Sequence, residues 1–252
     1  MRYMQLEHKT AIVYGAGGSM GGAIARAFAR EGAEVFLAGR TLEKLDAVAA
    51  EITSAGGSAT ATRLDAHDRK AVEEHADEVA RQAGGFDISV NAVGMEHAIQ
   101  GVPLVDLAPT DFLAPVIDAA RTQFLTATAA ARRMAAQGSG VIVLLSSSAA
   151  RESGPLMGGF SVACAAIECL TRTLAGEVGR QGVRVVGLRP NFTPETAPGA
   201  DPHDFQPLVD GTALGRLPRL AEVGATAAFL ASDDAGAMTG AIANLTCGAI
   251  VD

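Results

Sequence analysis

Seven short runs rich in β-branched and other apolar residues alternate along this chain with longer Ala-rich stretches, and no other feature constrains the fold as tightly. The runs lie at 10–14 (TAIVY), 34–39 (EVFLAG), 59–64, 86–91 (FDISVN), 140–145 (GVIVLL), 183–188 (VRVVGL) and 242–246 (IANLT). Between them, residues 21–31, 41–55, 68–83, 110–136, 160–178 and 220–231 read as helices; in the first of these, Ile24, Ala27 and Phe28 recur at helical spacing. Strands that are apolar on both faces need cover on both sides, which parallel strands joined by crossover helices supply. The expected architecture is α/β, a single Rossmann-type doubly wound domain over 1–252 with about seven parallel strands flanked by helices. A chain of 252 residues suits one core, and no Pro/Gly-rich linker divides it.

Right-handed crossovers place the loops that follow the strands along one sheet edge, where such folds bind ligands. One of these loops is long. Residues 190–214 contain Pro194, Pro198, Pro202 and Pro207, which oppose regular helix or ladder through most of the segment. It reads as a lid or substrate loop, with a disordered insertion as the alternative.

Directly between the first strand and the first helix stands Gly15-Ala16-Gly17-Gly18-Ser19-Met20-Gly21-Gly22. Gly15 permits a tight strand-to-helix turn, Gly17 and Gly18 let backbone approach a pyrophosphate, and Gly21 lets helix and strand pack closely. The N–H groups and dipole of the helix start then favour an anion. A glycine-rich turn with no ligand is the plainer reading. A site that reads the adenosine ribose usually carries an acid at the end of the second strand; here Gly39 is followed by Arg40. A guanidinium suits a 2′-phosphate, so NADP(H) is preferred and NAD(H) is the alternative; an ordinary surface Arg is the other reading of Arg40. Asp65 fits either an acceptor for the adenine amino group or an N-cap for a helix beginning at Ala66.

Composition limits the chemistry. There are three Lys, at 9, 44 and 70, and two Tyr, at 3 and 14, so no Tyr or Lys is available in the C-terminal two-thirds of the chain. A net charge of −8, with both signs interspersed, gives no basic face for nucleic acid or anionic membrane. No apolar stretch reaches the ~20 residues of a transmembrane helix, and the start lacks an apolar signal core, so a cytoplasmic location is expected. Cys164, Cys169 and Cys247 are odd in number and lie among apolar residues, the pattern of reduced, buried thiols.

Over nearly its whole length the chain resembles the short-chain dehydrogenase/reductase family. The matching pieces are the turn at 15–21, Asp87-Ile88-Ser89-Val90-Asn91-Ala92-Val93-Gly94, the 140–143 strand leading to Ser146-Ser147-Ser148, Phe160-Ser161-Val162-Ala163-Cys164, Arg189-Pro190-Asn191, and the segment from Gly215 to Gly240. The resemblance implies a nicotinamide cofactor held by Gly15, Gly17, Ser19, Met20, Gly21, Arg40, Asp65, Asn91, Gly94, Pro190 and Thr193. It also implies a homotetramer or homodimer built on the helices near 110–136 and 160–178. The family's usual Asn, Ser, Tyr and Lys are not all present: Ser147 is retained, Phe160 falls at the Tyr position, Cys164 at the Lys position, and the Asn falls at Ala119 or Ala120.

The substitute proton donors are few. His97 would sit near the mouth of the site, although a polar loop His is the plainer reading. Arg151 and Glu152 follow Ser148 and read first as a solvated loop pair. Arg121 projects toward the cleft or toward a partner helix. Cys164 has no neighbouring base on its helical face to make it a nucleophile, and Ser147 either contacts substrate or caps a strand end. The function expected is an NADP(H)-binding oxidoreductase acting on a small-molecule carbonyl, alcohol or enone by a non-standard proton route. The alternatives are a cofactor-binding homologue without turnover, and a non-redox isomerase, lyase or cyclase on the same fold. No metal site is expected.

Overall fold

A computed structural model describes residues 4–251 apart from 96, 97 and 153. Its seven strands are β1 (Thr10–Tyr14), β2 (Glu34–Gly39), β3 (Ser58–Arg63), β4 (Ile88–Asn91), β5 (Gly140–Leu145), β6 (Val183–Pro190) and β7 (Ile242–Leu245). They form one parallel sheet in the order β3-β2-β1-β4-β5-β6-β7. β4 starts two residues later than the apolar run at 86–91; just before it, the Asp87 N–H donates to the Thr10 carbonyl and the Asp87 carbonyl accepts the Val141 N–H, while its carboxylate accepts the Thr10 N–H at 2.8 Å. The central strands are buried on both faces, whereas the edge strands β3 and β7 are half-exposed, since each has a neighbour on one side only.

Helices α1 (Ser19–Arg30), α2 (Leu42–Ser54) and α7 (Leu220–Ala231) cover one face. Their Ile24, Phe28, Leu45, Val48, Val223 and Leu230 pack on Val13, Leu37, Val90 and Val143. On the other face α3 (Arg69–Ala83), α4 (Pro109–Gln137) and α5 (Gly159–Val178) bury Val72, Val79, Met134 and Ile167 against Ile12, Phe36 and Leu144. Burial of this kind is worth about 1.5–3 kcal/mol per large aliphatic side chain. It fixes the strand ends from which the site is built. Among the described residues, no helix is long and apolar enough to cross a membrane.

Two expectations need correction. The 190–214 segment holds more regular structure than its prolines suggest: 3-10 turns at Pro194–Thr196 and Pro202–Phe205 lead into the short helix α6 (Gln206–Asp210). Pro207 sits in the first turn of α6, where no N–H is needed, so it starts the helix rather than breaking it. The thiols are not all buried: Cys164 is, Cys169 is exposed and Cys247 is intermediate. Cys169 lies five residues on from Cys164, about 140° round the helix, and so faces outward.

Candidate functional site

The order of the strands reverses between β1 and β4, so the loops leaving their carboxyl ends diverge and open a crevice. A cleft of about 350 Å³ occupies it, a size suited to part of a small-molecule ligand. Its floor is the β1–α1 turn. Gly15 has φ +76°, and a Cβ there would lie 2.5 Å from the Ala92 carbonyl oxygen, so glycine alone lets the turn pass under the end of β4. A Cβ on Gly21 would overlap the Gly15 carbonyl, which accounts for the close packing of α1 on the turn. At Gly18 a Cβ would meet only the Gly15 oxygen, at 3.4 Å, so the outer side of the turn is open to approach. α1 has no side-chain N-cap and no acid in its first turn, whereas Asp68 caps α3 by accepting from the Lys70 and Ala71 N–H groups. The uncapped donors of α1 therefore suit an anion from outside the chain.

Gly15, Gly17, Ser19, Met20, Arg40, Asp65 and Gly94 all line this cleft. Gly21, Asn91, Pro190 and Thr193 do not. Asn91 is buried; its Nδ2 donates to Thr126 Oγ1 at 2.8 Å and its Oδ1 accepts the Val93 N–H at 2.9 Å, so it shapes the Val93–Gly94 wall from behind. Thr193 is also buried and donates to the Asn191 carbonyl, and Pro190 pairs with Leu245 in the sheet. Among the lining residues that the sequence did not single out for the site are the polar side chains of Thr41, Lys44, His67 and Thr196. Lys44 lies in the first turn of α2, just after Arg40 and the N-cap Thr41, close enough in sequence for the second cation to be read together with the first. For Thr196 the sequence carries no signal.

The N-cap alternative for Asp65 is overturned, because α3 begins at Arg69 under Asp68. Asp65 instead accepts the His67 backbone N–H at 3.0 Å, with His67 Nδ1 3.1 Å from the same oxygen. The backbone bond is the first cause that holds its carboxyl below the usual range, and the charge of Arg40 adds to it.

Beneath the loop after β5 the polar groups face one another. Ser147 begins the 3-10 turn Ser148–Ala150, its Oγ accepting the Ala149 N–H at 3.4 Å. Ser146 Oγ lies 3.2 Å from the Cys164 carbonyl and 3.1 Å from Glu168 Oε1, two acceptors that one hydroxyl proton serves in turn. Glu168 receives Arg189 Nε at 2.7 Å and Nη2 at 2.9 Å, with both side chains almost wholly buried. Ser148 donates to Asn191 Oδ1 at 3.2 Å. Phe160 is half-buried in the first turn of α5. One turn on, burial first and Glu168 second push the Cys164 thiol up to about 12, against a hydrogen bond from the Ser147 backbone. It is a protonated, inert thiol. Ala119 is buried and Ala120 exposed. Arg121 is exposed on α4, in a shallow groove it shares with Asp65 and His67 of the cleft wall and with Asp68, Lys70 and Glu73. Arg151 is exposed and Glu152 half-buried. His97 lies outside the described residues.

A doubly wound parallel sheet with an open glycine turn at its switch point defines a Rossmann-type nucleotide-binding protein. Residues 15–249 match the family model described as enoyl-(acyl carrier protein) reductase. The chain is 32% identical over 239 residues to meso-2,3-butanediol dehydrogenase of Serratia marcescens, covering 94% of this chain and 93% of that one. Among solved structures it superposes on 7α-hydroxysteroid dehydrogenase in complex with NADH and 7-oxo glycochenodeoxycholic acid with a TM-score of 0.89 and 28% identity, covering 99% and 97% of the two chains. It superposes also on a structure described as an NAD(P)-dependent gluconate 5-dehydrogenase from Beutenbergia cavernae with NADP bound at low occupancy, at TM-score 0.86, 30% identity and 97% coverage of each. The chain belongs to the short-chain dehydrogenase/reductase family and is an oxidoreductase of that family.

Proposed function

We propose that this chain is an NADP(H)-dependent oxidoreductase acting on a carbonyl, alcohol or enone through a proton route that does not use the family's Tyr and Lys. The observation that carries the cofactor reading is the end of the cleft where Gly39 stands in place of an acid and Arg40 and Lys44 line the wall. The open turn at Gly18 and the uncapped start of α1 fit a pyrophosphate, Asp65 fits the adenine amino group, and Gly94 and Thr196 fit the nicotinamide half. When bound, the cofactor supplies a hydride. Ser147 orients the substrate oxygen. Phe160, in the position of the family's Tyr, supplies no proton, and Cys164, in that of its Lys, supplies no cation, so protonation falls to solvent or to a group on the substrate. Residues 190–214 cover the substrate side of one domain spanning the chain. The exposed Ile117 and Phe124 of α4 and Val162 of α5 favour a dimer or tetramer built on those helices, in a cytoplasmic protein.

A second reading, cofactor binding without turnover, draws support from the inert Cys164 thiol. One experiment separates the two. NADPH and NADH affinities are measured for the parent and for Arg40→Ala, followed by turnover of a carbonyl panel by the parent and by Ser147→Ala. The proposal expects Arg40→Ala to weaken NADPH by about 10- to 100-fold and to leave NADH within a few-fold. Equal losses for both cofactors would remove the 2′-phosphate assignment. Tight NADPH binding with no oxidation by any substrate would select the second reading.

A further inference from the structure

The side chain of Asp65 is about half-exposed on the cleft wall, where a two-bond side chain left to itself samples several rotamers. It is not left to itself. His67 reaches back over it: the His67 N–H and ring Nδ1 both meet Asp65 Oδ1, while ring Nε2 lies 3.5 Å from Asp118 Oδ1 on α4. The imidazole thus spans two carboxylates on separate elements, the loop after β3 and the middle of α4, and it lines the cleft itself. The competing neighbour for the Asp65 carboxylate is Arg40, whose charge also acts on it from the end of β2. A carboxylate turned toward Arg40 would face a guanidinium rather than a ligand.

We propose that His67 is a positioning residue for base selection: braced by Asp118, it holds the Asp65 carboxylate at the angle that accepts an exocyclic amino group, so that the cleft takes an adenine dinucleotide in preference to one bearing hypoxanthine. The physical basis is preorganisation. A fixed acceptor gains the full value of a charged hydrogen bond, and a mobile one loses part of it to ordering. Hypoxanthine presents a carbonyl oxygen where adenine presents N–H donors, so the same fixed carboxylate repels it. The inference rests on the dinucleotide reading of the cleft given above.

The test is binding, followed by the fluorescence of the reduced nicotinamide, of NADPH and of its deamino analogue to the parent, His67→Ala, His67→Asn and Asp118→Asn, with each protein's thermal midpoint recorded. The parent is expected to favour NADPH by about 10- to 100-fold, the range of one hydrogen bond to a charged group. His67→Ala should bring that ratio within about threefold through loss on the NADPH side alone, and Asp118→Asn should lower it part of the way. Both His67 variants retain the backbone N–H bond to Asp65 and so isolate the ring contact; His67→Asn places an amide N–H near the lost Nδ1 and should keep most of the preference. Equal loss of both nucleotides in His67→Ala, or an unchanged ratio, overturns the role of His67. A parent that binds both nucleotides equally overturns it too, while the dinucleotide reading stands. A parent that binds neither brings down both.

Discussion

At the N-terminus of α1 the backbone donors carry no side-chain cap and the turn beside them is open. In the layer under Ser147, by contrast, Ser146 and Arg189 both bond to Glu168, and Ser148 bonds to Asn191. The first region leaves its hydrogen-bonding capacity to a ligand, and the second closes it within the fold. Hydrogen-bonding capacity left open predicts binding, whereas a buried network predicts rigidity and a large cost when it is broken. The two regions should therefore fail differently under substitution: one in ligand affinity, the other in stability.

The largest effect is expected in the closed region. Arg189→Met leaves the Glu168 carboxylate buried without its guanidinium and should cost about 3–5 kcal/mol, a fall of roughly 10 °C in thermal midpoint for a chain of this size. Pairing it with Glu168→Leu removes both charges and should recover most of that loss. Calorimetry of the two variants checks this. If Arg189→Met alone melts with the parent, the network is not the closed unit described here, and the contrast between the regions collapses.

In the open region the contrast can be sharpened with two neighbouring glycines. Gly21→Ala forces a methyl into the Gly15 carbonyl and should destabilise by about 1–3 kcal/mol. Gly18→Ala meets one oxygen at ordinary contact distance, so its stability should stay within about 0.5 kcal/mol of the parent. Its methyl stands where a pyrophosphate would approach, and NADPH affinity should fall. Urea titration and nucleotide binding on the same preparations separate the two. A Gly18→Ala protein that binds NADPH as tightly as the parent would mean that the turn is open for some other reason.

How much of this was legible beforehand follows the same division. The alternation of apolar runs and helical stretches placed all seven strands within two or three residues, because burial on two faces leaves a continuous apolar signature. The glycine turn was legible because close backbone approach admits only one residue type. Asp65 was not, since it and Asp68 each precede a helical stretch and either carboxylate suits an N-cap; the choice was made by the backbone, which starts α3 at Arg69. The Glu168–Arg189 pair was invisible as well. Twenty-one residues separate them, and only the crossover from α5 to β6 brings a charge from each into one buried layer. Thr196 entered the cleft wall through a 3-10 turn whose residues carry no periodic pattern.

The smallest expected effect concerns His75, which lies behind the open region on α3. It is buried edge-on to the ring of Tyr14, 6.0 Å between centroids, and neither ring nitrogen has a partner. Burial pushes its pKa down to about 4, with Glu78 opposing. The unfolded chain takes up the proton near the ordinary 6.5 and the folded chain only near 4, so the unfolded state binds more protons between those values. Stability is then complete above about pH 6.5, declines as the pH falls toward 4, and loses nothing further to this group below that. His75→Leu removes the linkage. Relative to the parent, the variant should gain about 1–2 kcal/mol between pH 7 and pH 5, read from denaturant midpoints at the two values. The Glu168–Arg189 layer contributes nothing to that difference, because it is the same in both proteins. A stability difference that does not change with pH would mean that His75 titrates alike in the folded and unfolded chains, and the open region would then have no acid-sensitive support behind it.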